Sequence, residues 1–421
     1  MKSVIKVFMK CVMTRSTSMS DDYLFAGLKV LDVGSWIAGP VAATILADYG
    51  ADVIKIEIPG DGDPYRQLSA TPGTPDADVN YMWQMDGRNK RSLALNLKTP
   101  EGMAILKKLV SDCDVYITNQ PFPMRRKLGL GYEDLKPLNP SMIFASLTAY
   151  GEQGPDSDRE GFDLVAYWAR TGLMDLVRAP GAPPVQGLPG MGDHPSAVAL
   201  YASIVTALLK RERTGEGSLV HTSLLANGLW SMACIAQAGF AGGQFDRYRA
   251  TKATPQFITT LYRTSDDRWL QFSMIRGPDD LMQLFDTLGL GSIIRDARFA
   301  TPEARLQHGA ELVRLVQDVL IMADSDDWLA RFNAAGVNAN RVGIVEETLD
   351  DEMLKLNNMV VVSTDDAMGM PWVVNHPINA ANVPQVGPKR APEVGEHSRQ
   401  ILQSLGYDDA QIDGLLARGV I

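Results

Sequence analysis

The fold of this chain is decided by residues 28–56, whose sequence is LKVLDVGSWIAGPVAATILADYGADVIKI. Residues 28–33 predict a β-strand. Pro40 suits the first turn of the helix that follows, because its fixed φ matches helical geometry and its missing N–H would be unpaired there. Gly50 suits the position just after that helix. The second predicted strand, residues 51–56, completes a βαβ unit, and such units build parallel sheets.

The alternation of strands and helices continues downstream. Thr99 is placed to cap a helix that begins at Pro100, and residues 115–118 and 142–147 predict two more strands. We therefore expect residues 25–225 to form an open α/β domain with helices on both faces of its sheet.

A smaller α+β domain is expected at residues 226–335. Two strand-like segments, 260–264 and 269–272, flank a turn, and helical patterns follow them. Residues 336–421 are expected to link back to the large domain as a C-terminal segment. Residues 1–24 are interpreted as an N-terminal extension, which we expect to be disordered.

The composition argues against several classes of protein. The 421 residues carry a formal net charge of −10 and are 45% hydrophobic, a globular balance without the basic character of nucleic-acid binders. The cysteines, Cys11, Cys113 and Cys234, are too far apart to suggest a zinc site or a disulfide framework. The longest mostly apolar stretch, residues 197–209, is shorter than the roughly 20 residues that a membrane-spanning helix needs. We therefore expect a cytoplasmic protein that binds neither nucleic acid nor membrane.

Asp193 lies in the segment GMGDHPS, residues 190–196, directly before a long helical pattern. An aspartate at that position is typical of a helix N-cap. The position also suits a nucleophile, because a helix N-terminus favours an ionised carboxylate and flanking glycines let a ligand approach. The local sequence leaves both interpretations open. Asp163 follows a Gly/Pro/Asp-rich loop, and its local sequence likewise fits either a helix cap or a site residue.

Two short basic runs and one loop complete the candidate sites. The runs are residues 87–92, which include Arg91, and residues 125–127; each predicts either a solvated turn or a contact for the phosphates of an anionic ligand. The loop after the first strand, GSWIAGP, is not a GxGxxG dinucleotide fingerprint. It either packs helix against strand or borders a ligand at the carboxyl ends of parallel strands. The sequence contains no GxSxG, HExxH or Walker A motif.

Together these residues form a pattern that resembles the family III CoA-transferases, also called the CaiB–BaiF family. The resemblance covers nearly all of residues 28–421 and rests on separated motifs in the family's order. The motifs are LDVGSWIAGP, LADYGADVIKIE, GRNKRSLALNLKTPEG, DVYITN, the pair Gly192-Asp193, LLKRERTGEG, DARFAT, and GEHSRQILQSLGY followed by GVI.

The resemblance implies a fold, an assembly and a reaction. It implies a Rossmann-like large domain, a small domain with a three-stranded element, and two chains interlocked as rings in a homodimer. It also implies that CoA moves from an acyl-CoA donor to a carboxylic acid acceptor without a metal or redox cofactor. In that reaction Asp193 becomes first an aspartyl mixed anhydride and then an aspartyl-CoA thioester.

The resemblance further implies contacts with coenzyme A and the acyl group. It places Ser35 and Ile37, in the first loop, beside the acyl group. It places Leu95 and Leu97 beside the adenine, and Asn119 and Lys127 beside the nucleotide. From the local patterns we add Arg91 and Asp163 as candidate binding residues.

The chain departs from the family at several positions. Ile37 stands where formyl-CoA transferases have a substrate-binding glutamine, and Ile58 where they have a basic residue. Formyl-CoA transferases have a glycine-rich loop that closes on the aspartate, whereas the segment AGFAGGQF of this chain has only scattered glycines. These differences argue against formyl-CoA and oxalate as substrates. His194 also replaces the small residue expected after the aspartate.

Two alternative functions stay open. α-Methylacyl-CoA racemases are similar but use a histidine in a GHD motif. In this chain the motif is Gly161-Phe162-Asp163, and phenylalanine cannot transfer a proton. A non-catalytic acyl-CoA binding protein would keep the fold without needing Asp193.

Overall fold

The computed structural model describes residues 22–421 of the chain. Residues 1–21 of the extension predicted at residues 1–24 therefore lie outside the described residues. Within the described part the chain forms two compact units. The first comprises residues 22–177, 184–233 and 353–421, and the second comprises residues 178–183 and 234–352.

A sheet of six parallel strands forms the centre of the first unit. The strands are β1 (Lys29–Asp32), β2 (Asp52–Glu57), β3 (Arg91–Ala94), β4 (Val115–Thr118), β5 (Ile143–Thr148) and β6 (Ser218–Ser223). Their order is β3-β2-β1-β4-β5-β6, which is the order of doubly wound nucleotide-binding folds. The prediction of a mixed α/β fold with a parallel sheet is confirmed.

Helices follow most strands of the sheet and continue through the second unit. From the N-terminal side they are α1 (Ala38–Asp48), α2 (Tyr81–Gly87), α3 (Pro100–Val110), α4 (Phe122–Leu128), α5 (Tyr132–Leu135), α6 (Leu173–Leu176), α7 (Asp193–Thr214), α8 (Leu224–Ser231) and α9 (Ala233–Phe240). They continue as α10 (Phe245–Ala253), α11 (Pro278–Thr287), α12 (Pro302–Gln307), α13 (Gly309–Leu320), α14 (Ser325–Ala335), α15 (Glu352–Leu356), α16 (Ser398–Ser404) and α17 (Asp409–Ala417).

Both faces of the large sheet are covered, as expected for parallel strands. Successive residues of a strand point to opposite faces, so Val30 and Ile117 join the core beneath α1 and α7, whereas Leu31 and Tyr116 join the core beneath α3, α16 and α17. The predicted start of α3 is confirmed, because the Thr99 hydroxyl accepts a hydrogen bond from the Gly102 amide at 3.1 Å.

The second unit has its own small sheet and its own core. Strands β7 (Tyr262–Arg263), β8 (Trp269–Phe272) and β9 (Ala339–Arg341) pair antiparallel in the order β7-β8-β9. A separate antiparallel pair, β10 (Val360–Val362) and β11 (Trp372–Val374), belongs to the first unit. Across residues 22–421, there is no helix that is both long enough and apolar enough to cross a membrane.

Candidate active site

A cavity of about 390 Å³ opens at the carboxyl ends of β1, β4 and β5. This edge is where open α/β sheets bind ligands, and β1 and β4 are the neighbours between which the strand order reverses. The lining includes five of the predicted site residues, and they come from four separate loops or helix ends. These residues are Ser35, Ile37, Asn119, Asp163 and Asp193.

The loop between β1 and α1 is held by the side chain of Asn119. The Asn119 Oδ1 atom accepts a hydrogen bond from the Ser35 amide at 2.8 Å, and its Nδ2 atom donates to the Ser35 carbonyl at 2.7 Å. The next residue, Trp36, has a φ of 66°, and its amide donates to Asp63 at 3.0 Å. A positive φ is strained for a bulky side chain, so these hydrogen bonds keep the loop in a conformation that it would not adopt alone.

Paired charges lie buried beneath this loop. The Lys90 ammonium is 2.9 Å from the Asp32 carboxylate and donates to the Pro40 carbonyl at 2.7 Å. The Lys55 ammonium is 2.7 Å from Asp63. Burial opposes the ionisation of Asp32, but the charges of Lys55 and Lys90 outweigh it and lower its pKa. The loop therefore rests on a fixed, fully paired charge network.

The basic run at residues 87–92 is neither a solvated turn nor a set of free cations. Arg88 and Lys90 are buried, and the Arg88 guanidinium pairs with Asp48 at 2.6 Å. Arg91, a predicted binding residue, pairs with Asp52 through both ends of its guanidinium, at 2.8 and 2.5 Å. The sequence did not reveal these partners because they lie about 40 residues or more away along the chain.

Asp163 connects two segments of the site. It precedes a π-helical turn, Leu164–Ala169, and its Oδ2 atom accepts a hydrogen bond from the Gly192 amide at 3.0 Å. Its Oδ1 atom is buried without a hydrogen-bond partner among the described residues. Burial raises the pKa of Asp163 above its usual range, although nearby amides oppose the shift. Asp163 is therefore a support for the Gly192–Asp193 segment rather than a helix cap.

Gly192 is required by close packing. A Cβ atom at this position would lie 2.3 Å from Asp163 Oδ1 and 2.4 Å from the Tyr167 ring. Both distances are far below any van der Waals contact, so only glycine allows the segment to approach Asp163 this closely. Close packing against Asp163 and Tyr167 therefore explains why a glycine precedes Asp193 in the sequence.

Asp193 is the first residue of α7 and lines the cavity. The N-cap interpretation is wrong, because Gly192 occupies the cap position and no side chain caps this helix. Within the described part of the chain, the Asp193 carboxylate accepts no hydrogen bond. Burial and the neighbouring charge of Asp163 raise its pKa to about 7, while His194 acts in the opposite direction. The result is a carboxylate that is not engaged in structure and faces the cavity.

His194 has two partners that the sequence did not reveal. Its Nδ1 atom is 2.9 Å from the Gly190 carbonyl, and its Nε2 atom is 3.3 Å from Asp86 Oδ1. The other oxygen of Asp86 accepts a hydrogen bond from the Tyr65 hydroxyl at 2.6 Å. The ring of His194 is therefore tied to α2, although the residue adjoins Asp193 in the sequence.

Four predicted binding residues do not line this cavity. Leu95 is buried in the core on the α3 face of the sheet and Leu97 packs against that core, whereas Lys127 is exposed. Arg91 borders a different cavity, of about 500 Å³. The predicted contacts of these four residues with coenzyme A stay predictions. Among the residues that the structure describes, no three His, Cys, Asp or Glu side chains group as a metal site would require.

Comparison with known proteins identifies relatives along nearly the whole chain. The model of CoA-transferase family III matches residues 25–398. The (R)-2-hydroxy-4-methylpentanoate CoA-transferase of Clostridioides difficile is 33% identical, over 93% of this chain and 97% of that protein. The succinyl-CoA:glutarate CoA-transferase of Mus musculus is 31% identical, over 94% of this chain and 89% of the other. Among solved structures, a CAIB/BAIF family protein from Brucella suis matches with a TM-score of 0.77 and 28% identity, over 90% of this chain and 98% of that one.

Proposed function

The chain belongs to CoA-transferase family III and is a CoA-transferase, and from this premise we propose that it moves CoA between carboxylic acids through covalent intermediates on Asp193. The observation that carries the proposal is the position of the Asp193 carboxylate. It faces the cavity at the start of a 22-residue helix, and it makes no hydrogen bond within residues 22–421 that would occupy it. A carboxylate that is ionised and accessible can act as a nucleophile toward an acyl group.

The proposed exchange has four balanced steps. The Asp193 carboxylate attacks the donor thioester, and CoA leaves as a thiolate while a mixed anhydride forms. The thiolate attacks the aspartyl carbonyl of the anhydride, which releases the donor acid and leaves an aspartyl-CoA thioester. The acceptor carboxylate attacks this thioester, which releases the CoA thiolate again and forms a second anhydride. The thiolate then attacks the acceptor acyl carbonyl, which gives the new acyl-CoA and restores the Asp193 carboxylate.

The same cavity argues against racemisation. A racemase of this fold would need a second proton-transfer group where Phe162 stands. The Phe162 side chain lines the cavity, is half exposed, and packs edge-to-face on Trp36 with ring centroids 5.7 Å apart. An apolar ring at this place supports transfer rather than racemisation.

Replacement of Asp193 tests the function directly. Asp193→Asn keeps the shape but removes the nucleophilic charge, so we expect exchange between an acyl-CoA and an acid to fall by more than about a thousandfold. The matched control is Asp409→Asn, which changes an exposed aspartate at the same position of α17. An Asp193→Asn enzyme with normal exchange would refute the proposal.

Trapping separates a transferase from a non-catalytic acyl-CoA binding protein. After incubation of the wild-type protein with an acyl-CoA, hydroxylamine or borohydride should modify Asp193, and mass spectrometry of the digested protein locates the modification. Binding of acyl-CoA without any modification at Asp193 would favour the binding protein.

We further propose that the acid substrate carries an apolar side group. Among residues 22–421, the charged side chains that line the cavity are one guanidinium, Arg159, and three carboxyl groups, Glu160, Asp163 and Asp193. Arg159 lies over the Tyr150 ring and near Asp156. A second carboxylate on the substrate would therefore meet a predominantly negative lining. The Trp36–Phe162 pair and Ile37 offer an apolar wall instead, which suits an acid like that named for the Clostridioides difficile relative better than glutarate.

A panel of acceptor acids with one fixed donor tests this substrate class. We expect kcat/KM for 4-methylpentanoate and 3-phenylpropanoate to exceed that for succinate and glutarate by about tenfold or more, since an unpaired charge in an apolar site is strongly rejected. A preference for the dicarboxylates would contradict the proposal.

We also propose a cytoplasmic homodimer that works without a metal or redox cofactor, as the family resemblance implies. Support for the dimer comes from apolar side chains that the single chain leaves uncovered. Trp230 and Phe240 are 79% and 81% exposed, and none of the residues of α9, ACIAQAGF, is buried. Exchange activity measured in the presence of EDTA tests the absence of a metal.

A further inference from the structure

The ring of His194 lies between two hydrogen-bond acceptors on different elements. On one side the Gly190 carbonyl is 2.9 Å from Nδ1, and on the other the Asp86 carboxylate is 3.3 Å from Nε2. A neutral imidazole has one N–H and can satisfy only one of these acceptors. Only the imidazolium, in which both nitrogens donate, satisfies both. The geometry therefore favours the charged ring.

The charges around His194 also favour a cation. Asp86 is buried on α2 and is held by the Tyr65 hydroxyl, which donates to its second oxygen at 2.6 Å. Asp193 is adjacent on α7, and Asp163 lies across the site at the start of the π-helical turn. The Lys90 ammonium interacts electrostatically with Asp86. Three carboxyl groups thus face the ring, against one lysine that is already paired with Asp32.

We propose that His194, held as an imidazolium between Gly190 and Asp86, is a positioning residue that keeps the Asp193 carboxylate ionised for attack. This inference rests on the proposed function of Asp193. Asp193 and Asp163 are two close carboxyl groups in a cavity, and such pairs tend to hold a shared proton. A protonated Asp193 cannot attack a thioester. The imidazolium opposes this protonation and fixes the turn from which Asp193 projects.

The electrostatics of the ring agree with this role. Burial acts to lower the pKa of His194, but its hydrogen bond to Asp86 and the charge of Asp86 outweigh burial and raise the pKa to about 9. The ring therefore keeps its charge across the range in which Asp193 titrates. Because the side chain is 40% exposed, glutamine can replace it without a large buried defect.

The pH dependence of kcat/KM for His194→Gln tests the proposal. In the wild type we expect the acid limb to lie near pH 7, where Asp193 ionises. Loss of the imidazolium should raise the pKa of Asp193 by about one unit, so the variant should lose about tenfold in kcat/KM at pH 6 and recover toward wild type near pH 9. The matched control is His221→Gln, on an exposed position of β6, which should not move the limb. A uniform loss at every pH, or an unmoved limb, would overturn the proposal.

A second measurement does not depend on activity. In the full-length protein labelled with ¹⁵N-histidine, both ring nitrogens of His194 should be protonated at pH 7.5, and Asp86→Asn should bring their titration down toward the ordinary range. The signals are assigned by their loss in His194→Gln. A neutral His194 ring at pH 7.5 would refute the inference. An active Asp193→Asn enzyme would instead refute the proposed function and leave the ring's charge as measured.

Discussion

At the scale of single residues, the Asp193 carboxyl makes the folded state less stable. The ordinary pKa of an aspartate is 3.8, and burial beside Asp163 raises that of Asp193 to about 7. The folded protein therefore holds this proton more tightly than the unfolded chain. Stability must fall as the pH rises from about 4 to 7, because folding requires an unfavourable ionisation inside the cavity.

Asp193→Asn is therefore expected to inactivate the enzyme and to stabilise its fold. Asparagine carries no charge to bury, so at pH 8 the variant should be more stable by about 1–2 kcal/mol, after allowance for partial exposure of the group. The gain should shrink toward zero near pH 4. Thermal unfolding at pH 4 and at pH 8, at one fixed protein concentration, measures this gain in stability. A gain of equal size at both pH values would show that the buried charge is not its cause.

The sequence predicted Asp163 and Asp193 as site residues, and both line one cavity, but their electrostatic partners were not predicted. Asp193 and Asp163 were found because glycines and a helical pattern mark their positions. The contact between His194 and Asp86 was not predicted, because Asp86 lies 108 positions away along the chain and neither residue belongs to a recognisable motif. The same holds for Lys90 and Asp32, whose pairing depends on β3 and β1 lying on either side of β2 in the sheet.

At the scale of elements, the loop between β1 and α1 gives the cavity its shape. Its Trp36 has a backbone conformation that glycine adopts freely, at φ 66°. Trp36→Gly therefore removes the aromatic wall without adding backbone strain. We expect kcat/KM for 3-phenylpropanoate to fall by about tenfold or more, and that for acetate to change little, while the melting temperature falls because Trp36 also packs against the core. Equal losses for both acids would indicate that Trp36 supports the loop rather than the substrate.

The sequence predicted those strands and helices whose residue patterns match their burial and their helix ends in the structure. Strands β1, β2, β4 and β5 contain branched apolar residues, and α3 has a threonine cap followed by proline, so their patterns were clear. Strand β6, SLVHTS, was missed because its polar residues alternate at the edge of the sheet.

At the scale of the whole molecule, the exposed apolar surface predicts self-association. An interlocked dimer would cover side chains such as Trp230 and Phe240, and large apolar interfaces rarely dissociate. We expect sedimentation at about twice the chain mass of 45.9 kDa at all practical dilutions. A stable and active monomer would contradict the prediction.

The π-helical turn after Asp163 has a genetic consequence. A π turn contains one residue more than an α-helical turn, so loss of any single codon within residues 164–169 would let the segment relax into an ordinary α-helix. The relaxation would rotate Asp163 by about 100° relative to the residues that follow, away from the Gly192 amide. In this short segment length is therefore constrained more tightly than composition, and related genes should vary there by substitution but not by in-frame deletion.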